Sequence, residues 1–409
     1  MTKEIRLFYG WGKLFDWSPE RKWEYLQEIM TENTNTRLIL FGASEHDHVF
    51  NSFNQLCDDG GDGFMDMKPI LNKLSELKSL SGNTLEWVTG ANRLPSHKPV
   101  NHAERLDPDQ QLSRLYSFTD NPIMFDRVHN YGTFWLTYGF NGILSVDNQT
   151  GRITSPILVK QAREPVEHLF ICKNANPHYH RCAMMDALAT HGLIEDNLVT
   201  FASMEHSDMN LSNDYEWHTW QPESLSIEHD LEDQWYGIPV KYAQTWLELV
   251  TESDVRSEFF TEKTVKPLLY EKPFVILGCP GINHSLQDWG FKLYDEIFDY
   301  DFDNISDYRV RAQAIAQQLA DWQHILRKHP ERIQKLRHRV ADKARYNLIN
   351  LLEIIMSDKY VDPDLKQILE CLPLEHNYDA PQLINVHNNN KNGRRLANII
   401  LKTIKDRTR

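Results

Sequence analysis

The chain has 409 residues, of which 41% are hydrophobic and 11% aromatic, and a net charge of −14 at pH 7. These values exclude a disordered chain and favour at least two domains over a single core. No apolar run of about 18 residues occurs, the N-terminus lacks the apolar core of a signal peptide, and the five scattered cysteines form no CxxC pair. We therefore expect a cytoplasmic protein without a membrane span, in the host cytoplasm if it is viral.

The charge is distributed unevenly along the chain. Residues 327–409 contain 17 Lys and Arg against 10 Asp and Glu, so the residues before them carry a net charge of −21. An acidic body repels polyanions, whereas a basic C-terminal region could bind one. The alternative is that both regions are ordinary solvated surfaces.

The N-terminal half begins with a pattern typical of a βαβ unit. Residues 4–11 and 36–44 are apolar enough for strands, and the segment 18–30 between them predicts a helix capped by Ser18. Further along, residues 134–144 predict another pair of strands.

A second alternation of strands and helices begins near residue 165. Strands are predicted at 166–175, 197–203, 244–253 and 273–278. Helices are predicted within 176–194, where Gly192 ends the helix, at the start of 283–294 before a further strand, and over 306–357. We predict an α/β protein with two Rossmann-like domains facing each other across a cleft and a helical C-terminal region. The predicted domains are 1–160, 161–325 and 326–409.

The stretch 259–281, FFTEKTVKPLLYEKPFVILGCPG, places an acid beside a base at the start of a predicted helix. Thr261 occupies the N-cap position, and Glu262 and Lys263 lie in the first turn. A helix N-terminus carries free N–H groups and partial positive charge, which suit a phosphate. A lysine there can neutralise a pyrophosphate, and a carboxylate can accept both hydroxyls of a ribose. The alternative is a capping glutamate beside a surface lysine.

This stretch resembles the donor-site signature of α-1,3-fucosyltransferase-like enzymes, in which Thr-Glu-Lys opens a helix and a Pro-Val-Val strand and a Gly follow. It is also similar to a group of viral and bacterial glycosyltransferases that read TEKT, Lys-Pro, a Pro-Phe-Ile strand, a Gly-Pro-Pro-Gly turn and Gly-Phe-Lys. That group continues into Asp-Glu-Ser-Tyr-Asp, whereas this chain reads DEIFDYDFD at 295–303, so these acids receive no role. The resemblance covers residues 165–325.

The resemblance implies a GT-B-like glycosyltransferase that takes a nucleotide diphosphate sugar as donor and requires neither a metal nor a prosthetic group. Residues 161–325 would bind the donor and residues 1–160 would lie on the acceptor side. Residues 174–193 look like the opening of the family's donor domain, where an arginine contacts the donor diphosphate, and Arg181 is the matching position. The other implied donor-binding residues are Thr261, Glu262, Lys263 and Lys266. The alternative for Arg181 is a surface arginine at a helix start.

The resemblance implies that the general base lies in the N-terminal domain. The predicted strand that contains residues 36–44 should end at the cleft, so the residues after it are candidates. The sequence FGASEHDH at 41–48 supplies Glu45, His46 and Asp47 as candidates, with His48 beside them. Glu45 is the preferred candidate. The alternative is a polar loop without a catalytic role.

Two Asp-x-Asp patterns, at 299–301 and 301–303, could hold Mg²⁺ or Mn²⁺ against a diphosphate. They follow the donor motif rather than precede it, so metal use is not favoured.

The acceptor is expected to be a glycan or a related hydroxyl. One alternative is a hydroxylated base in viral DNA, bound through the basic residues 327–345. An alternative of another class is a non-catalytic scaffold with a glycosyltransferase-like fold.

Overall fold

The computed structural model divides the chain into two compact units, Met1–Phe134 with Ser357–Lys391 and Trp135–Met356 with Asn392–Arg409. The structure describes residues 3–8, 18–32, 36–41, 84–89, 114–117, 128–130, 140, 143, 166–174, 177–201, 215–220, 225, 240–253, 255, 260–357 and 394–404. The α/β class predicted from the sequence is confirmed.

The first unit contains a parallel sheet of five strands in the order β1-β2-β3-β4-β5. The strands are β1 (Lys3–Phe8), β2 (Thr36–Phe41), β3 (Thr84–Thr89), β4 (Arg114–Ser117) and β5 (Val128–Asn130). Helix α1 (Pro19–Glu32) connects β1 to β2, and Ile5 lies opposite Leu38 in that pair. The predicted βαβ unit is therefore confirmed.

Helix α1 begins where its sequence predicts. The Ser18 hydroxyl accepts a hydrogen bond from the Arg21 N–H at 3.3 Å, which satisfies one of the free donors of the first turn. Trp23 and Leu26, three residues apart, are buried on one side of the helix.

The second unit contains a parallel sheet of four strands in the order β7-β6-β8-β9. The strands are β6 (His168–Asn174), β7 (Leu198–Phe201), β8 (Thr245–Thr251) and β9 (Phe274–Leu277). All seven residues of β8 and all four of β9 are buried. Strands covered on both faces read as continuous apolar runs, which is why all four were predictable.

Helices surround this sheet. They are α2 (Tyr179–Thr190), α3 (Glu262–Leu269), α4 (Ile282–Asp288), α5 (Tyr308–Lys328) and α6 (Pro330–Met356), and residues 394–404 are also helical. Gly192 follows α2 with φ +62°, the left-handed conformation of a helix-ending glycine, as predicted. Helix α6 packs against α3 and α5 through an apolar stripe that includes Ile333, Leu336 and Val340.

Two strand predictions are wrong. Within 134–144, the two residues that the structure describes, Phe140 and Ile143, are helical and fully buried. After α4, the residues up to 294 form no strand because the Asn347 side chain takes the place of a neighbouring strand. Its amide oxygen accepts from the Lys292 N–H at 2.8 Å and its amide nitrogen donates to the Lys292 carbonyl at 2.9 Å.

Candidate functional site

The order of the strands places a topological switch point, where open α/β sheets form their ligand crevice, at one edge of the sheet in the second unit. Strand β6 has β7 on one side and β8 on the other, so the connections that leave β6 and β8 diverge at the carboxyl edge. Such a switch point is where open α/β sheets bind their ligands. Helix α2 follows β6 and helix α3 follows β8. The structure therefore brings Arg181, in the first turn of α2, to the same sheet edge as Thr261, Glu262 and Lys263.

Helix α3 starts with the cap that its sequence predicts. Thr261 has extended backbone angles, and its hydroxyl accepts from the Lys263 N–H at 3.3 Å. Thr261 is buried. The prediction that Thr261 is the N-cap is confirmed, and the positive end of the α3 dipole lies at the carboxyl edge of the sheet.

Glu262 and Lys263 form an ion pair of 2.8 Å at this helix start. The Lys263 ammonium also donates to the Ser253 and Thr261 hydroxyls, at 3.1 and 3.2 Å. Burial would raise the pKa of Glu262, but Lys263 and Lys266 outweigh burial and hold that pKa below its ordinary value. Both side chains are mostly but not fully covered, with 13% and 16% of their surface exposed, so a ligand can still reach them.

Arg181 lies deeper than a surface arginine at a helix start. It is 2% exposed, and Nη2 donates to the carbonyls of Thr251 and Glu252 at 3.3 and 3.4 Å. Burial lowers the pKa of Arg181, while Glu252 and Glu262 oppose that shift. The guanidinium thus connects the start of α2 to the end of β8, and its charge lies behind the crevice.

Lys266 lies one turn beyond Glu262 and is buried. Burial, followed by repulsion from Lys173, lowers its pKa to about 7, although Glu262 and Glu248 partly offset this effect. Lys173 is the next-to-last residue of β6 and was not predicted as a site residue. A lysine at the end of a buried apolar strand is the only sequence signal that could have identified it. We call Lys173, Arg181, Lys263 and Lys266 the cation cluster.

The carboxyl end of β9 lies at the same edge of the sheet as the carboxyl ends of β6 and β8. Arg311, in the first turns of α5, is buried and donates to the carbonyls of Ser306 and Gly278, at 3.0 and 2.5 Å. A Cβ at Gly278 would lie 2.5 Å from Cδ1 of Ile282, so a side chain there would require Ile282 to move. Arg311 therefore fixes the start of the Gly-Cys-Pro-Gly segment at 278–281.

The acidic segment after α4 has a structural role at Asp303. This carboxylate is buried and accepts from the His284 N–H at 3.0 Å and from the Asn283 amide at 2.7 Å, so it holds the start of α4. The Asp299 carboxylate accepts from the Asp301 N–H at 3.0 Å. Among the residues that the structure describes, no three His, Cys, Asp or Glu side chains are grouped to hold a metal ion.

A cavity of about 610 Å³ lies between α4, residues 295–301 and α5. Its lining includes five carboxylates and three aromatic rings, from Asp295, Glu296, Asp299, Asp301, Asp321, Phe298, Tyr300 and Trp322. Carboxylates repel phosphate, so this cavity does not suit a phosphorylated ligand.

The candidate bases Glu45, His46 and Asp47, and His48 beside them, lie outside the described residues. Strand β2, which precedes them, ends at Phe41.

Comparison with known proteins does not identify a family for this chain. No protein-family model matches the chain, no curated protein matches it, and no solved structure matches its fold. In the described part of the chain, no helix has the length and apolar character needed to cross a membrane.

Proposed function

We propose that this protein is a glycosyltransferase that moves a sugar from a nucleotide diphosphate sugar to the hydroxyl of a glycan or related acceptor. The proposed architecture is GT-B-like, with two Rossmann-like domains facing a cleft, and the proposed location is the cytoplasm. One observation carries the proposal: two helices begin at the switch point of a parallel sheet, one with Arg181 and the other with the Glu262–Lys263 pair.

The cation cluster is suited to the donor diphosphate. Lys266 is buried close enough to Lys173 for their repulsion to lower its pKa. A diphosphate between them would relieve this repulsion and restore the charge of Lys266. The N–H groups at the start of α3 add partial positive charge in the same place.

Glu262 and Lys263 are suited to the two polar ends of a nucleoside diphosphate. In the structure they bind each other, and Lys263 uses all three of its N–H donors on neighbouring side chains. A ribose diol can replace Lys263 as the partner of Glu262, and a phosphate oxygen can replace Glu262 as the partner of Lys263. Ligand binding would therefore exchange one ion pair for two charge-assisted contacts.

The transfer needs a base and a stabilised leaving group. The acceptor hydroxyl loses its proton to the base as its oxygen bonds the anomeric carbon and the bond to the diphosphate breaks. Glu45 is the proposed base, with His46 and Asp47 as alternatives. The cation cluster would stabilise the charge on the departing diphosphate, a task that a bound metal performs in other transferases.

A thermal-shift panel of nucleoside diphosphates and their sugars tests the donor site. A ligand at about 100 times its dissociation constant adds roughly 2.7 kcal/mol, enough to raise the melting temperature by a few degrees. We expect one nucleotide class to stabilise the wild type, with or without EDTA, and not to stabilise Lys263→Ala. The matched control is Lys241→Ala, an exposed lysine just before β8, at the opposite edge of the same sheet. A flat panel, repeated with acceptor candidates present, would favour the non-catalytic scaffold.

A second candidate acceptor, DNA, is favoured by one observation on α6. Arg332, Lys335 and Arg339 are exposed and spaced three and four residues apart, so they form one basic stripe. By contrast, Lys343 binds Glu296 at 2.7 Å and is not part of this stripe. If DNA is the acceptor, Arg332→Ala/Lys335→Ala/Arg339→Ala should abolish salt-sensitive DNA binding. No retardation of DNA by the wild type at about 50 mM salt would exclude this acceptor.

A further inference from the structure

We infer that Glu252 is the positioning residue that fixes the starts of both helices at the crevice. This inference rests on the proposed function, because Arg181 and Lys263 are the groups whose placement Glu252 controls. Glu252 follows β8 directly and is 0% exposed. No sequence pattern pointed to it.

The carboxylate of Glu252 holds the start of α3. One oxygen accepts from the Thr261 N–H at 3.0 Å and from the Thr264 hydroxyl at 2.6 Å. The other accepts from the Thr261 hydroxyl at 2.7 Å. Three donors on α3 and its cap are therefore satisfied by one buried side chain.

These contacts also orient Lys263. A carboxylate can only accept, so the Thr261 hydroxyl must direct its proton at Glu252 and its lone pairs elsewhere. Those lone pairs accept from the Lys263 N–H at 3.3 Å and from the Lys263 ammonium at 3.2 Å. Glu252 thus sets the direction of the Thr261 hydroxyl, and the hydroxyl sets the position of the lysine.

The main-chain carbonyl of Glu252 holds the start of α2. It accepts from Nε2 of His180 at 2.7 Å and from Nη2 of Arg181 at 3.4 Å. Burial, reinforced by the charge of Arg181, lowers the pKa of His180 far below its usual range, so the ring is neutral and carries its proton on Nε2. One residue therefore binds α3 through its side chain and α2 through its main chain, and the two helix starts are placed together.

Pyrophosphate titration and amide hydrogen exchange test this inference. The variants are Glu252→Ala and Glu252→Gln, and Thr264→Val, which is close in shape and removes only one of the three contacts. The matched control is Asp303→Ala, which removes a carboxylate equally buried at the start of α4. The exchange measurement follows the amides of Cys182 and Thr264, which form the first-turn bonds of α2 and α3.

We expect Glu252→Ala to weaken pyrophosphate binding at least tenfold and to speed exchange in the first turn of α3. The first turn of α2 should exchange at the wild-type rate, because the variant keeps the main-chain carbonyl that binds His180 and Arg181. Glu252→Gln should bind with intermediate affinity, because its amide N–H faces groups that also donate. Thr264→Val should show a smaller loss of affinity and provides the test if Glu252→Ala does not fold. Asp303→Ala should lose stability and keep its affinity within twofold of the wild type.

Affinity within twofold of the wild type in folded Glu252→Ala would overturn the inference, as would unchanged exchange in the first turn of α3. Failure of the wild type to bind pyrophosphate or any nucleoside diphosphate would instead overturn the proposed function. In that case the exchange rates alone decide whether the Glu252 side chain fixes the start of α3: faster exchange in its first turn supports this role, and unchanged exchange contradicts it.

Discussion

Two helices of the second unit begin against a buried carboxylate, and the cation cluster lies at the start of one of them. At α3, Glu252 accepts from the main chain and hydroxyl of Thr261. At α4, Asp303 accepts from the main chain of His284 and from its ring Nδ1 at 2.9 Å. At both helix starts the buried carboxylate accepts a main-chain hydrogen bond and so fixes where the helix begins.

The difference lies in the charges nearby. The start of α3 faces the cation cluster. The start of α4 has His284, whose ring binds Asp303, and Arg311, which donates to main-chain carbonyls, and the acids of 295–301 follow α4. The N–H groups of a helix start attract anions only weakly without cationic side chains. The comparison teaches that the surrounding charge, rather than the capped helix start, distinguishes a candidate phosphate site from a structural turn.

The largest effect is expected from removing the guanidinium that connects α2 to β8. Arg181→Ala leaves the carbonyls of Thr251 and Glu252 without this donor and removes a cation that interacts with the buried Glu252 carboxylate. We expect a loss of about 3–5 kcal/mol in the free energy of unfolding, measured by urea titration. Arg332→Ala, an exposed arginine of α6, should change it by less than about 0.5 kcal/mol. Equal losses in the two variants would contradict the role of Arg181.

An intermediate effect is expected from Lys266, whose neighbours in the fold are Lys173, Glu262, Glu248 and Lys263. Its pKa in the folded state is about 7, below the ordinary value of 10.5. The unfolded chain therefore binds more protons between these values, and this lysine makes stability rise with pH by up to about 1.4 kcal/mol per pH unit.

Lys266→Met should remove that rise. We expect the variant to be more stable than the wild type at pH 6, by about 1–3 kcal/mol, and this advantage should shrink toward pH 10. The same variant should bind pyrophosphate at least tenfold more weakly, because it lacks the charge. Urea titrations at pH 6, 7, 8 and 9 measure the difference in unfolding free energy, and a difference that does not vary with pH would refute the assignment.

The smallest effect is expected at an exposed cap. Ser18→Ala removes the exposed cap of α1 and should cost about 0.5–1 kcal/mol. Thr261→Val removes a buried cap that also binds Glu252 and should cost about 2 kcal/mol or more. Amide hydrogen exchange within α1 and α3 reports each loss separately. A larger loss at α1 than at α3 would mean that the contact with Glu252 contributes little.

The parts of the site that could be predicted from the sequence are local. Thr261, Glu262 and Lys263 are consecutive, and the strands beside them are continuous apolar runs. The parts that could not be predicted depend on tertiary packing. Glu252 binds Thr261 across nine residues, and Arg311 binds Gly278 across 33 residues.

The same reasoning explains the strand that was predicted wrongly after α4. The residues up to 294 are apolar enough for a strand, but Asn347, 55 residues beyond Lys292, satisfies the main chain there. Nothing in the local pattern distinguishes a segment paired with a strand from one paired with a side chain.

A crystal structure of the protein with a bound nucleoside diphosphate tests the central claim most directly. The account predicts that the two phosphates lie between the starts of α2 and α3, within hydrogen-bond distance of the Lys263 ammonium. It also predicts that the ribose hydroxyls face Glu262. A nucleotide bound at the start of α4, or in the acid-lined cavity beside α5, would contradict it.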